Sequence, residues 1–330
     1  MRLSSALVEN ETLKLLRRRR PHLVLTVLAV FLAIATWSQL RREQNNRRNA
    51  GGTNWRAQTE QRIHELERRA QRRRTFVGFT RSLHFEIIRL RHHLERGIDP
   101  NAQTGPIFSR AFAVLGSAVL LPLLITLLAA DLVSTERSTG TIKMLLTRPV
   151  ARWRILASKH TAMAIFATIL VGASAVLSWA IGGLAFGWSG WSAPVLTGLR
   201  STADGADLSD LRMAPLWLDT VAAYGLAWVG TLVTGVIAVT FSVLFRSTAA
   251  SLGTLAAMLA SGALLGQIGD DWELTRWVFM TNLPLAQFYS GVPPPVLGMT
   301  LGQSVVVLAG WGVVAVAVAM VTFSRRDVSA

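Results

Sequence analysis

Residues 161–187 read TAMAIFATILVGASAVLSWAIGGLAFG, 27 positions without an acidic or basic side chain. At 1.5 Å per residue a helix of that length reaches about 40 Å, more than the ~30 Å of hydrocarbon in a bilayer. A helix of a soluble protein keeps one polar face for water, and this one has none. The segment reads as a transmembrane helix, and the rest of the chain is organised around it.

Five more windows are long and apolar enough to cross as helices: residues 22–40, 107–130, a stretch within 216–245 with Asp219 near its outer end, 248–268 and 303–323. Composition agrees with them. The 330 residues are 51% hydrophobic and only 16% charged, where a soluble domain carries about a quarter. Charge is crowded into short intervals, as a bilayer requires, since a charge at mid-membrane costs roughly 2.5–3.5 kcal/mol. The expected fold class is an all-α membrane protein with six transmembrane helices in 22–330, preceded by an interfacial helix in 1–21.

A net charge of +15 would suggest nucleic acid in a soluble protein. Here the basic residues flank the spans and read as anchors at the bilayer surface, so no nucleic-acid partner is expected. The absence of cysteine excludes disulfides, thiolate catalysis and Cys-ligated metals.

Orientation follows from the short connections. Arg17 to Arg20 precede the first span; Arg137, Lys143, Arg148, Arg152, Arg154 and Lys159 lie between the second and third; Arg246 lies between the fourth and fifth; Arg325 and Arg326 follow the sixth. The opposite connections hold Asp204, Asp207 and Asp210, and Asp270, Asp271 and Glu273. Positive charge stays inside, which places both termini in the cytoplasm. The Arg-rich segment 41–106 then falls outside, which a loop longer than roughly 60 residues tolerates. The first span with Ala33-Ile34-Ala35 also imitates a cleavable signal, but its apolar run is long for one.

Within 41–106, Ile63, Leu66 and Ala70, then Leu83, Ile87, Leu90 and Leu94, recur at helical spacing and predict a helical hairpin, with sparse ion pairing and a weak point at Gly78. A solvated cap and a partner-binding surface both fit it. His64-Glu65 lacks the second histidine of a zinc helix, since position 68 is Arg68, and adjacent His92 and His93 point to different faces, so no metal site is expected. Residues 3–20 place Leu3, Leu7, Leu13 and Leu16 among charges, which suits a helix lying in the inner interface with arginines toward headgroup phosphates.

The most informative interval is 131–160, opening DLVSTERSTGTIKMLLTRPV. Capping residues, a short amphipathic turn, Gly140 and Pro149 make a compact charged elbow between two spans, a lever on which a soluble partner can push. The run Glu136-Arg137-Ser138-Thr139-Gly140-Thr141, then Leu145-Leu146-Thr147-Arg148-Pro149-Val150 and Lys159, resembles the signature of ABC-2 type transporter permeases. Asn10-Glu11, Lys14 and the Arg run resemble the amino-terminal pattern of that family, and Phe323-Ser324-Arg325-Arg326-Asp327 its cytoplasmic tail. The resemblance is to the branch of exporters with a long first extracytoplasmic loop. It implies a prokaryotic inner-membrane permease subunit that works with a second permease copy or paralogue and is driven by a separate ABC ATPase subunit. By the same resemblance Glu136, Gly140, Thr141, Arg148 and Pro149 lie in or beside the ATPase contact, ATP and Mg sit on the partner, and short re-entrant helices within 270–289 precede the last span. The aromatic residues of 270–289 equally suit an interfacial belt.

This chain has no Gly-x-x-x-x-Gly-Lys-Ser/Thr loop, so no catalytic residue and no cofactor are expected on it. The alternative reading is a membrane scaffold or sensor that binds a partner through its outer helical loop; an embedded hydrolase is disfavoured, since no histidine within a span is placed to activate a serine.

Overall fold

The computed structural model describes residues 2–17, 19–49, 54–72, 77–100, 102–141, 150–197, 200–202, 205–207, 212–265, 273–289, 296 and 299–325. The elements are α1 (Arg2–Arg17), α2 (Arg19–Asn49), α3 (Trp55–Arg72), α4 (Val77–Arg96), α5 (Gly105–Ala118), α6 (Leu120–Ala129), α7 (Ser134–Ser138) and α8 (Arg152–Phe186). Four short strands follow, β1 (Pro194–Thr197), β2 (Arg200–Thr202), β3 (Gly205–Asp207) and β4 (Arg212–Pro215), then α9 (Leu216–Leu244) and α10 (Thr248–Leu265). A 3₁₀ turn (Glu273–Trp277), α11 (Phe279–Asn282) and α12 (Leu285–Tyr289) precede α13 (Leu301–Arg325). The molecule is all-α in its spans. Among the described residues, α2, α8, α9 and α13 are each long and apolar enough to cross a membrane, and the bent pair α5–α6 makes a fifth candidate if it is one span.

The second window is not one straight helix. α5 and α6 meet at 54°, with Val119 between them at φ −136°, ψ −48°. Pro122 explains the position of the break: it has no N–H to give, and its ring would clash with the Ala118 carbonyl one turn back. The first helix also differs from expectation. Pro21 does not end a segment; it sits in the first turn of α2, where no intrahelical N–H is required. α2 then runs on through Arg41 and Arg42 to Asn49.

α9 is the axis of the bundle. Of its apolar window 61% is buried, against 33% for α8 and 22% for α2 and α13. It packs against α5, α6, α8, α12 and α13, and its small residues allow this: a Cβ on Gly235 would meet the Met163 sulfur at 2.2 Å, and one on Gly230 would lie 3.2 Å from the Leu283 carbonyl. The outward faces are apolar instead of polar. Val30, Ile34 and Trp37 of α2 and Val306, Val313 and Val314 of α13 are exposed. So continuous an apolar exterior needs lipid around it.

α5 and α8 approach closely enough to touch by backbone. The Gly105 N–H donates to Gly187 O at 3.1 Å, and a Cβ on Gly182 would lie 2.9 Å from Gly105 O. Elsewhere Gly183 lies under the Trp188 ring and Gly262 under Met280, while Gly302 has nothing within 4 Å. Gly266 and Gly298 lie outside the described residues.

At the end remote from α1 stand two further structures. α3 and α4 pair as the expected hairpin, with a separate core of Ile63, Leu66, Ala70, Leu83, Ile87 and Leu90 against which Leu94 packs. Its ion pairing is richer than expected: Arg69 to Glu65 at 2.5 Å, Arg91 to Glu67 at 2.6 Å and His64 to Glu67 at 3.3 Å. Glu67 is held below the usual carboxylate range, chiefly by the Arg91 hydrogen bond. Gly78 lies inside α4. Between α8 and α9, β1 pairs antiparallel with β4 and β2 with β3, strands that hydrophobic periodicity did not announce. Asp207 is in β3; Asp204 and Asp210 lie outside the described residues, as do Asp270 and Asp271.

Gly182→Ala should lower the thermal unfolding midpoint in detergent by the equivalent of about 1–3 kcal/mol, because the added methyl meets backbone that cannot step aside. Gly172→Ala, on the same helix with open space around it, should be neutral or slightly stabilising. Equal effects at both positions would contradict the α5–α8 packing.

Candidate functional site

The charged residues quoted from three distant parts of the sequence meet at the foot of the bundle. α1 turns Glu11 and Leu15 inward, and α8 carries Lys159 two turns in from its start. α7 brings Glu136 between them. The Lys159 ammonium, 1% exposed, donates to Glu11 Oε2 at 2.8 Å and to the Leu132 carbonyl at 3.0 Å. It lies 2.8 Å from Glu136 Oε2, an ion pair whose angle is not that of a hydrogen bond. Lys14 closes the figure, 2.8 Å from Glu11 Oε1 and 3.4 Å from Glu136 Oε1. The result is a ring of alternating charge, Lys14, Glu11, Lys159, Glu136, with no net charge.

Alternation is what makes burial tolerable. Each carboxylate is shared by two ammonium groups, so no ion faces the low-dielectric interior alone. For Glu11, burial alone pushes the carboxyl up, but the Lys159 charge and hydrogen bonds from Lys14 and Lys159 together outweigh it and hold it below the usual range. For Lys14, burial pulls the ammonium down, and Glu11 with Glu136 overcomes this and raises it.

α7 is held from its other side as well. The Ser242 hydroxyl accepts from the backbone N–H of Val133 and Ser134 at 2.9 and 3.0 Å. Ser134 Oγ and Thr248 Oγ1 lie 3.1 Å apart, and Arg137 donates to the Val243 carbonyl at 3.1 Å. Arg20, at the start of α2, pairs with buried Asp131 at 2.9 Å. The elbow is thus wedged between the α1–α8 charges and the corner joining α9 to α10.

Of the five contact residues expected here, Glu136 is only 5% exposed and faces the ring. Gly140 and Thr141 are exposed beyond it. Gly140 has φ +72°, a left-handed conformation that glycine takes without a Cβ penalty. Thr141 folds back to donate to the Glu136 carbonyl at 3.2 Å. Arg148 and Pro149 lie outside the described residues. A second buried ion pair, Arg110 with Asp219, sits at the opposite end of the bundle. Arg110 is a charged residue inside the second apolar window. Nearby, Tyr224 Oη, Ser178 Oγ and Ser109 Oγ form a chain with spacings of 2.6 and 3.0 Å.

Helices with lipid-suited exteriors, buried ion pairs at both ends and a short elbow define a multi-pass membrane protein. The chain belongs to a family described as a protein of unknown function, DUF2705, whose profile matches residues 99–329. It is also similar to two proteins of Bacillus subtilis strain 168. One is the uncharacterized protein YhcI, 24% identical over 327 residues, 98% of this chain and 99% of the relative. The other is the uncharacterized membrane protein YdbK, 28% identical over 213 residues, 64% of this chain and 78% of the relative. The family match takes in Glu136 and Lys159; the similarity to YhcI spans almost the whole chain.

Lys159→Met should destabilise the detergent-solubilised chain by about 3–5 kcal/mol, because it leaves two buried carboxylates with one lysine between them. Adding Glu136→Gln should recover part of that loss in thermal unfolding, and strict additivity would argue against a coupled ring. The pH dependence has a definite sign. The lowered Glu11 contributes stability that is complete above the ordinary carboxylate value and lost as pH falls through its lowered one. The raised Lys14 contributes below the ordinary lysine value and is lost as pH rises through its raised one. A spin label on Leu13→Cys, in a chain with no other cysteine, should therefore stay immobile across neutral pH and loosen in acid below the carboxylate range.

Proposed function

We propose that this chain is the permease subunit of an ATP-binding-cassette exporter, forming the translocation path and driven by a separate ATPase subunit. The observation that supports this best is the charge ring. It joins the interfacial helix, the elbow and the foot of α8, the segments that carry the resemblance to ABC-2 type permeases, so a force on the elbow reaches two helices at once. Gly140 and Thr141 offer the exposed rim of that elbow, with Arg148 and Pro149 following in sequence, and Glu136 anchors it from beneath.

The topology in this reading has six spans, α2, α5–α6, α8, α9, α10 and α13, with both termini and α7 on the cytoplasmic side of a prokaryotic inner membrane. α11 and α12 are the short helices before the last span. Two copies, or one copy and a paralogue, line the path. Closure of the ATP-bound partner subunits presses the elbow, and α1, α8 and the α9–α10 corner follow it between inward and outward states. ATP and Mg belong to the partner. Direction is taken from the resemblance.

A second reading, a scaffold or sensor, draws on the α3–α4 hairpin, whose private core makes it a self-supporting surface on the outer side. Purification with the associated proteins separates the two: a retained ATPase supports the permease, and a stable complex without one supports the scaffold.

Charge reversal at Arg148 or Glu136 should abolish substrate-stimulated ATP hydrolysis in liposomes while leaving membrane insertion intact; wild-type coupling in both variants would remove the assignment. A cysteine at Thr141 should react with an impermeant maleimide in inside-out vesicles and not in intact cells. The reverse pattern would invert the topology.

A further inference from the structure

Where α1 gives way to α2, an apolar crevice of about 90 Å³ opens between the two helices, the end of α6 and α8. Leu16, Pro21, Val24, Leu128, Phe166 and Leu170 line it, and His22 stands on its wall. Its size excludes a cargo site, which for a drug-sized molecule needs roughly 300 Å³ or more. Its lining excludes water, since apolar cavities stay dry. Leu13, Leu16, Leu23 and Leu25 are exposed beside it, so the crevice faces the bilayer and not the interior of the protein.

Its flanks have the opposite character. Arg17 and Arg19 adjoin the lining residues Leu16 and Pro21 in sequence, and both are exposed. Arg20 is turned the other way, paired with Asp131 at 2.9 Å and 3.4 Å from the Leu127 carbonyl, which fixes the start of α2 against the end of α6. The fixed arginine holds the start of α2 in place, and the two exposed arginines stand beside the crevice.

We propose that this crevice is a binding site for one anionic phospholipid, with a segment of an acyl chain lying along Val24, Leu128 and Phe166 and the headgroup phosphate between Arg17, Arg19 and His22. A bilayer component is the occupant that joins a dry apolar slot to a cationic rim, because a phospholipid carries hydrocarbon and phosphate on one molecule. The lipid holds α1 to the spans by a route separate from the charge ring, and the inference does not depend on what the protein transports.

Native mass spectrometry of the full chain in neutral detergent with equimolar phosphatidylglycerol and phosphatidylcholine tests it. Wild type should retain one phosphatidylglycerol in preference to phosphatidylcholine. Arg17→Gln with Arg19→Gln should reduce that preference roughly thirtyfold, at about 1 kcal/mol for each surface arginine. Ile169→Trp, at an exposed position on the crevice rim, should displace either lipid. All three changes are at exposed positions and leave the fold intact. Equal retention of the two lipids by wild type, or unchanged retention in either variant, overturns the site.

Discussion

Removing charge from water at the foot of the bundle is the constraint on which the arrangement depends. Lys159 is 1% exposed and Glu11 4%, and a lone ion so placed would cost several kcal/mol. Alternation of sign around four residues removes that cost only when all four are present. The ring therefore makes α1, α7 and α8 a single body at that end, although they come from residues 11, 136 and 159. The remote end obeys the same rule with Arg110 and Asp219. Inside the spans, hydroxyls return to their own helices, as Thr126 does to Pro122 O and Thr231 to Ala227 O, since lipid supplies no partner.

Large apolar side chains face both ways. Val30, Ile34 and Val313 are exposed while Leu28, Leu32, Leu124 and Phe279 are buried, and along α9 the contacts are made by residues small enough to let helices meet. α9 buries Ala223, Ala227, Thr231, Thr234 and Ala238, and the Met163 sulfur fills the space that a side chain at 235 would take. The bend at Val119 turns the end of α6 toward the elbow, where Asp131 pairs with Arg20.

Much of this could be read from the residues. Long apolar windows located α9, α13 and the far end of α8 to within a few positions, though α8 starts nine residues before its window, and leucine spacing found the α3–α4 hairpin. The elbow was recognisable as a charged, punctuated segment, and Glu11, Lys14, Glu136 and Lys159 were each singled out. Their convergence was not legible, because it depends on helices separated by more than a hundred residues. Pro122 was the available sign of the bend, and it is hidden in a run of leucines. The β1–β4 and β2–β3 pairs are three or four residues each, too short for alternation to register. Arg110 escaped because a single charge barely lowers a window's average hydropathy.

α2 is 31 residues without a break, about 46 Å from end to end. Its root is clamped by Arg20 to Asp131 and its tip carries the chain toward the hairpin. A rod of that length magnifies rotation: a tilt of about 5° at the root sweeps the tip through roughly 4 Å. Any angular change at the Arg20–Asp131 clamp is therefore enlarged at the far end of α2.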